Sequence, residues 1–328
     1  MTREKTENHK DDSMEGMIPP VSKELIMGEL TPERFVRKTN NASNHIYILN
    51  ANNAPNVMRE IGRLRELSFR AAGGGTGKPL DVDGFDTGTN PYEQLIVWDP
   101  TDEVILGGYR FMVCRNAGVD HLGVPKLATS KLFHFSEKFN EEYLPYTIEL
   151  GRSFVQPAYQ STQTNRKSIY ALDNLWDGLG TLVVDYENIR YFFGKITMFP
   201  HFNAKARDLI LYFLRRFYPD PDRLIYPIQP LELSTPDEEM KNVFTGGTLE
   251  ENFKLLSQEV RKYQENVPPL FSSYSALSPT MKTFGTALNK DFGGVEETGI
   301  LITISDIYEP KKNRYVGQYL SSKGEVSD

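Results

Sequence analysis

Apolar and polar positions alternate along the chain in a way that predicts β-strands separated by helices. Runs of β-branched and aromatic residues, each bounded by turn-forming residues, are typical of strands. They lie at 45–50, 94–98, 104–113, 146–155, 190–198 and 298–304. The second and third runs flank an Asp-Pro turn, which predicts a hairpin.

Between these runs, apolar residues recur at the spacing of amphipathic helices. Such segments follow Asn56, Ser168, Asn203 and Thr248, and all four are residue types that cap helices. Glu251 stands three residues after Thr248, the spacing of a capping box. Strands that alternate with helices predict an α/β fold with a mixed sheet.

The two ends of the chain are polar. Residues 1–22 are predicted to be a disordered leader and 311–328 a polar tail, because neither buries enough apolar surface to offset the entropy of ordering. The leader holds no apolar segment of the kind found in signal peptides. Apolar stretches such as 209–214 are too short to span a bilayer. We therefore expect a cytoplasmic protein that at most contacts a membrane surface.

Composition excludes several classes of function. The 37 basic and 44 acidic residues give a net charge of -7, which argues against nucleic acid as a partner. Cys114 is the single cysteine, so no intrachain disulfide can form. The five histidines do not show metal-ligand spacing. We expect neither a metal nor a tightly bound cofactor.

Glu149 and Arg152 are candidates for chemistry at the centre of the chain. Residues three apart in a regular strand point to opposite faces, but Gly151 favours a bulge that would bring both side chains to one cleft. A carboxylate there could accept a proton from an attacking amine. A structural ion pair is the alternative interpretation.

The helix expected after the polar loop 156–167 is a candidate phosphate site. A helix N-terminus carries unpaired N–H groups and partial positive charge, and Arg166 and Lys167 precede Ser168 there. A solvated loop before a core helix explains the same pattern. Asp81, Asp83 and Asp86 form an acidic loop that could hold an amine, although the calcium-loop pattern is absent.

A series of short motifs carries a family resemblance. In order they are RELSF at 65–69, the acidic loop at 83–86, GGYRF at 107–111, ELGRSFV at 149–155 and RYFFGKIT at 190–197. The series resembles the ornithine-lipid and glycine-lipid N-acyltransferases, often labelled hemolysin-like, of the GNAT superfamily. It is more distantly similar to the acyl-homoserine-lactone synthases. The resemblance covers roughly residues 46–305.

The resemblance implies a GNAT fold, a twisted mixed sheet splayed in the middle with flanking helices. One domain would span 46–310, with a helical insertion near 219–268. The strands at 146–155 and 190–198 would form a V-shaped opening for a pantetheine arm. The residues implied at the site are Glu149 and Arg152 for catalysis, Val155, Gln156, Arg166, Lys167 and Ser168 for the donor, and Arg65, Asp83, Asp86 and Arg110 for the acceptor.

Departures from the GNAT pattern bear on the donor and on the general acid. The loop 156–167 lacks the glycines of the usual phosphate loop, which favours an acyl carrier protein over coenzyme A as donor. Ile210 occupies the position where a tyrosine general acid is expected, with Tyr212 nearby.

The expected activity is transfer of a fatty acyl group from an acyl carrier protein or coenzyme A thioester to the amine of a small amino acid, in aminolipid synthesis. A homoserine-lactone-like signal synthase, a protein-lysine acyltransferase and a non-catalytic GNAT-derived binding module are the alternatives. The segment at 212–218, with Arg215 and Arg216, is a candidate for membrane contact, and a buried aromatic segment is the alternative.

Overall fold

An eight-stranded mixed sheet forms the centre of the molecule. The computed structural model describes residues 14–160 and 168–324. The strands of the main sheet are β1 (Phe35–Lys38), β2 (His45–Leu49), β3 (Glu93–Asp99), β4 (Val104–Val113), β6 (Thr147–Val155), β7 (Tyr191–Met198), β9 (Lys282–Asn289) and β10 (Val295–Thr303). They lie in the order β1-β2-β3-β4-β6-β7-β10-β9. A separate pair joins β5 (Phe133–Phe135) to β8 (Ile225–Pro227).

Helices cover both faces of this sheet. They are α1 (Lys23–Glu29), α2 (Pro55–Ala71), α3 (Gly84–Thr87), α4 (Ser168–Asp185), α5 (Ala204–Phe217), α6 (Asp237–Lys241), α7 (Leu249–Lys262), α8 (Pro269–Ser275), α9 (Glu309–Lys312) and α10 (Gln318–Gly324). The expected α/β class and the six expected strands are confirmed, with ends that shift by up to three residues.

The sheet opens between its two parallel neighbours. Among the described strands, β6 and β7 run parallel and pair only over Thr147–Glu149 and Tyr191–Phe193, whereas the other pairs are antiparallel. Beyond these residues the two strands no longer pair, and α4 supplies the crossover that a parallel pair needs. The expected splayed mixed sheet is confirmed.

Two apolar cores lie on opposite faces of the sheet. Successive β3 residues alternate between them, with Leu95 in one core and Ile96 in the other. The first core packs α4, α5, α7 and α8, and we call its side the α4 face. The second core packs α2, and we call its side the α2 face.

The start of α2 corrects the expected cap. The helix begins at Pro55, so Asn56 lies inside its first turn. The Glu29 carboxylate accepts hydrogen bonds from the backbone N–H groups of Asn56 (3.1 Å) and Val57 (2.8 Å). A distant acid therefore replaces a local cap. The caps expected at Asn203 and Thr248 are confirmed.

Both ends of the described chain are packed against the domain. In the segment 14–22, the backbone N–H of Glu15 donates to the Gly77 carbonyl (2.9 Å) and that of Val21 to the Glu60 carboxylate (3.1 Å). At the other end, α9 and α10 follow β10, and Tyr315 and Tyr319 are buried. The expectation of a disordered leader is wrong for 14–22, and that of a solvated tail is wrong for 311–324, because aromatic side chains anchor the tail.

The segment 219–268 contains β8, α6 and α7. Its aromatic residues Phe244 and Phe253 pack against Phe213 of α5, so the segment shares the α4-face core. Among the described helices, none combines the length and apolar character needed to cross a membrane.

Candidate active site

A β-bulge at Gly151 sets the geometry of the site. Arg110 pairs with Gly151 and Gly108 pairs with Phe154, so β6 contains one residue more than β4 between these pairs. Arg152 takes up the extra residue with a φ of 48°. Because the extra residue shifts the alternation of side chains, Arg152 lies on the α2 face together with Glu149. The bulge inferred from Gly151 is therefore present.

A cavity of about 520 Å³ occupies the opening between β6 and β7 and reaches both faces of the sheet. Its polar wall lies on the α2 face and includes Arg110, Glu149, Arg152, Lys195 and Glu297. Its apolar wall lies on the α4 face and includes Leu150, Leu172, Leu270, Tyr274, Ile300 and Ile302. One continuous space thus joins a charged chamber to a hydrophobic one.

Glu149 is fixed at the base of the opening. Its side chain is 2% exposed, accepts a hydrogen bond from the Thr129 N–H at 3.0 Å, and accepts a second from the Tyr92 hydroxyl. Burial, together with the nearby Glu149 carboxylate, raises the pKa of Tyr92 well above its usual value. Tyr92 therefore stays protonated and donates to the carboxylate. The two hydrogen bonds hold the Glu149 carboxylate at the cavity wall.

Beside Glu149, three arginines and three aspartates form a charge network. Arg110 contacts Asp83 at 2.9 Å and Asp86 at 3.2 Å. Arg65 contacts Asp86 at 3.1 Å, and the Gln94 side chain also bonds both of these residues. Burial alone would raise the pKa of Asp86, but the two guanidinium groups outweigh it and hold that pKa well below its usual range.

Arg152 joins the network through Asp81. Its Nε lies 2.8 Å from Asp81 Oδ2, without the alignment of a hydrogen bond, and its guanidinium stacks 3.9 Å from the centre of the Phe292 ring. Burial raises the pKa of Asp81, and the Arg152 charge opposes this shift. Three cations face three anions, so the network neutralises its own charge.

The predicted acceptor residues occupy different places in this network. The structure brings Arg65, Asp83, Asp86 and Arg110 together, but only Arg110 lines the cavity. Arg65 and Asp86 are fully buried, and Asp83 caps α3 through its bond to the Phe85 N–H. These three residues belong to the charge network that holds Arg110, but they do not form part of the cavity wall.

The predicted donor residues are described only in part. Val155 lines the cavity, and the Gln156 N–H donates to the Leu106 carbonyl (2.9 Å), which fixes the end of β6 to β4. Ser168 is the first residue of α4. Arg166 and Lys167 lie outside the described residues.

Sequence reasoning missed Lys195 and Glu297. The Lys195 ammonium lies 2.6 Å from Glu297 Oε2, which also accepts from the Asn289 side chain at 2.9 Å. The pair joins β7 to β10 on the α2 face, and both residues line the cavity. A single charged residue inside an apolar strand is the signal that could have indicated Lys195, since burying a charge requires a partner or a function. Glu297 follows Glu296, just before the expected strand at 298–304, and showed no such signal.

Two tyrosines on the α4 face were also missed. Tyr109 of β4 and Tyr274 of α8 are buried neighbours beside Ser153, and all three line the cavity. Burial raises the pKa of both phenols, well above the usual value in the case of Tyr274. They are protonated hydroxyl groups where the charged chamber meets the apolar one.

The aromatic residues of the segment 212–218 pack mainly into the protein. Tyr212, Phe213 and Tyr218 are buried in the α4-face core, while the exposed Arg215 lies 2.6 Å from Asp237. These aromatic residues are core positions, which agrees with the alternative interpretation of a buried aromatic segment.

Comparison with known proteins agrees with this geometry. Residues 64–168 match the family model described as an acetyltransferase (GNAT) domain. The chain is 54% identical over 309 residues to a glycine N(alpha)-acyltransferase of Bacteroides thetaiotaomicron, covering 94% of this chain and 92% of the relative. It is 51% identical over 313 residues to a glycine N(alpha)-acyltransferase of Phocaeicola vulgatus, covering 95% and 96% respectively. No solved structure matches the chain.

The splayed sheet and the GNAT match define the protein as an acyltransferase of the GNAT fold. The two relatives identify its branch: the chain belongs to the glycine N(alpha)-acyltransferase family. Its activity is N-acylation, as the resemblance implied.

Proposed function

We propose that this enzyme transfers a fatty acyl group from a phosphopantetheine thioester to the amino group of glycine, as a step in aminolipid synthesis. The observation that carries the proposal is the two-chambered cavity across the splay. Its apolar chamber suits a hydrocarbon chain, and its charged chamber suits a zwitterionic amino acid. The relatives' names supply glycine as the acceptor.

Glu149 is the proposed proton acceptor. Glycine reaches the enzyme mainly as an ammonium ion, and its nitrogen becomes nucleophilic only after losing a proton. The Tyr92 and Thr129 hydrogen bonds hold the Glu149 carboxylate toward the cavity. The freed amine attacks the thioester carbonyl, the C–S bond breaks as the amide forms, and the thiolate leaves and takes up a proton.

Lys195 is the proposed anchor for the glycine carboxylate. Arg110 and Arg152 face the cavity with partners in the charge network. Lys195 lies outside that network, and its ammonium has three donors, one of which meets Glu297. A carboxylate held by Lys195 would leave the amine free to turn toward Glu149.

The proposed donor is an acyl carrier protein, which presents one phosphate where coenzyme A presents a pyrophosphate and a further phosphate. Support comes from the loop 156–167, which lacks the glycines that bring backbone N–H groups around a pyrophosphate. The single phosphate would lie near the start of α4, with the pantetheine arm entering the open end of the splay beside Val155.

The proposal is tested by giving purified enzyme palmitoyl-carrier-protein or palmitoyl-coenzyme A, each with glycine, ornithine, homoserine lactone or a lysine peptide. We expect thiol release and N-palmitoylglycine with the carrier protein, and slower turnover with coenzyme A. Preference for ornithine or the peptide would overturn the acceptor assignment. Equal rates with both donors would overturn the donor assignment.

We further propose that the enzyme acts at the cytoplasmic face of a membrane. A long acyl product partitions into bilayers at about 0.8 kcal/mol per buried methylene, so its release into water is unfavourable. A membrane contact near the cavity would let the product pass directly into lipid.

A further inference from the structure

A short hairpin beside the site exposes apolar side chains. Residues 118–126, which we call the tip hairpin, close through hydrogen bonds from Asp120 N to Val124 O (2.9 Å) and from Lys126 N to Gly118 O (3.0 Å). At its tip Leu122 is 75% exposed, Val119 57% and Val124 39%. Isolated exposed apolar residues are ordinary, but three on one projecting turn form a local apolar surface.

The tip hairpin has a defined conformation. The Asp120 carboxylate accepts hydrogen bonds from the backbone N–H groups of Leu122 (2.8 Å) and Val124 (3.0 Å). Both ends are anchored, since Ala117 and Leu127 are buried. The apolar side chains are therefore held outward at little entropic cost.

The charge around the tip hairpin differs in sign from that of the whole chain. Residues 115–131 contain three basic side chains, Arg115, Lys126 and Lys131, and one acidic side chain, Asp120, a net charge of +2 in a chain of -7. All three basic residues are exposed. Apolar residues at a tip with cations at its base complement an anionic bilayer, where the cations meet headgroups.

The tip hairpin is also tied to the reacting end of the cavity. The chain continues from it into Ala128 and Thr129, whose N–H groups donate to the Tyr92 hydroxyl oxygen (2.9 Å) and to Glu149 (3.0 Å). One residue, Leu127, thus separates the base of the hairpin from the segment whose N–H groups contact Tyr92 and Glu149.

We propose that the tip hairpin inserts Val119, Leu122 and Val124 into the interface of an anionic bilayer and holds the cavity beside the membrane. The inference rests on the proposed function, which supplies a lipid product. A lipid surface fits better than a protein partner, because a stable protein interface buries about 800 Å² on each side and a nine-residue turn offers far less.

Flotation of the full chain with phosphatidylglycerol–phosphatidylcholine vesicles tests the proposal directly. We expect wild-type protein to float at low salt, and Leu122→Asp/Val124→Asp to lose partitioning by about tenfold or more. The matched control is Leu320→Asp, which changes a 53% exposed leucine on α10 and should float like wild type. Melting temperatures near that of wild type show that the variants are folded.

Insertion itself is read from Leu122→Trp. Trp98 and Trp176 are buried, so a blue shift on adding vesicles reports the new side chain. No flotation of wild-type protein at low salt, equal losses in the tip and α10 variants, or no blue shift would each overturn the inference. So would loss of carrier-protein binding in the tip variant while vesicle binding persists, since the hairpin would then be a protein-docking element.

This experiment separates the hairpin from the chemistry. Flotation does not require turnover, so an enzyme that floats but does not acylate glycine refutes the proposed function and leaves the inference standing. With a short, water-soluble acyl thioester as donor, Leu122→Asp/Val124→Asp should keep wild-type turnover, because the substitutions lie outside the cavity.

Discussion

At the scale of single residues, the site depends on how a few buried charges are neutralised. In the charge network, Arg65, Arg110 and Arg152 form ion pairs with three aspartates of the protein itself. Glu149 instead receives neutral donors, a phenol and a backbone N–H. It is a carboxylate at the cavity wall with two hydrogen-bond donors that orient it, which is why we propose it as the group that accepts the proton of the attacking amine.

Replacing Glu149 by glutamine tests that role. The amide oxygen can still accept from Thr129, so we expect the fold to persist, while loss of the base lowers turnover by roughly a hundredfold to ten-thousandfold. The measurement is kcat alongside the melting temperature. Glu93→Gln is the matched control, since Glu93 bonds Asn50 and does not line the cavity. Wild-type turnover in folded Glu149→Gln would leave Glu149 a structural group.

Replacing Lys195 by glutamine tests the proposed carboxylate anchor. Glutamine keeps a donor for Glu297 but removes the charge, so we expect KM for glycine to rise about tenfold to a hundredfold, with little change in KM for the acyl donor. Glycinamide lacks the carboxylate and provides the control. We expect glycinamide to be a poor acceptor for the wild-type enzyme, and Lys195→Gln to use it as well as the wild type does. An equal loss with glycine and glycinamide would contradict the anchor.

At the scale of elements, the bulge and the splay position these residues. The bulge keeps Glu149 and Arg152 on one face of β6, and the short pairing with β7 opens the strands just beyond Glu149. The proposed proton acceptor, Glu149, therefore lies where the cleft begins. Gly194 lies at the start of the opening, where a Cβ atom would lie only 3.2 Å from the Leu150 carbonyl oxygen.

The N-terminus of α2 offers a test of long-range capping. Glu29 receives hydrogen bonds from the backbone N–H groups of Asn56 and Val57 and from the Asn56 amide. Glu29→Ala should reduce the free energy of unfolding by about 1–2 kcal/mol, as expected for loss of a cap. The control is Glu24→Ala, at an exposed position on α1, the helix that also carries Glu29. If Asn56→Ala lowers the free energy of unfolding more than Glu29→Ala does, the local residue Asn56, and not Glu29, is the main cap.

Helix α2 also shows which features could be predicted from the sequence and which could not. Periodicity identified α2 because its apolar stripe is a local property, but its cap comes from an acid 27 residues away. In the candidate site, too, features set by neighbouring residues could be predicted and contacts between distant residues could not. Gly151 signalled the bulge locally, whereas Lys195 meets Glu297 only after β7 pairs with β10, 102 residues apart. Strand β9 was missed because Gly285, with a φ of 81°, interrupts its alternation.

At the scale of the whole molecule, the turn between β1 and β2 and the C-terminal segment at 314–315 meet on α4. Asn40, in the turn between β1 and β2, donates to both carboxylate oxygens of Asp177 and to the Arg314 carbonyl (3.2 Å). The Tyr315 hydroxyl donates to Asp173 at 2.8 Å. Since Ala171 and Leu172 of α4 line the cavity, this junction supports one wall of the site.

The junction predicts a pH dependence of stability. Burial raises the pKa of Asp177 to about 6, although the Asn40 N–H opposes the shift. The unfolded value is about 3.9. Between these values the folded state binds the extra proton, so this group's contribution to stability is fully present below pH 4 and is lost as pH rises through 6. The loss by pH 7 is on the order of 2–3 kcal/mol.

Asp177→Asn isolates this contribution, because the amide does not titrate while its oxygen still accepts from Asn40. Urea unfolding at pH 4, 5, 6 and 7 gives the free energy of unfolding of both proteins. The variant's stability relative to wild type should rise by on the order of 2–3 kcal/mol from pH 4 to pH 7. All other acids, including Asp86 with its lowered pKa, cancel in this difference. Parallel curves would mean that the Asp177 carboxylate is ionised at little cost in the folded protein, and that the junction joins the turn at Asn40 to α4 through hydrogen bonds alone.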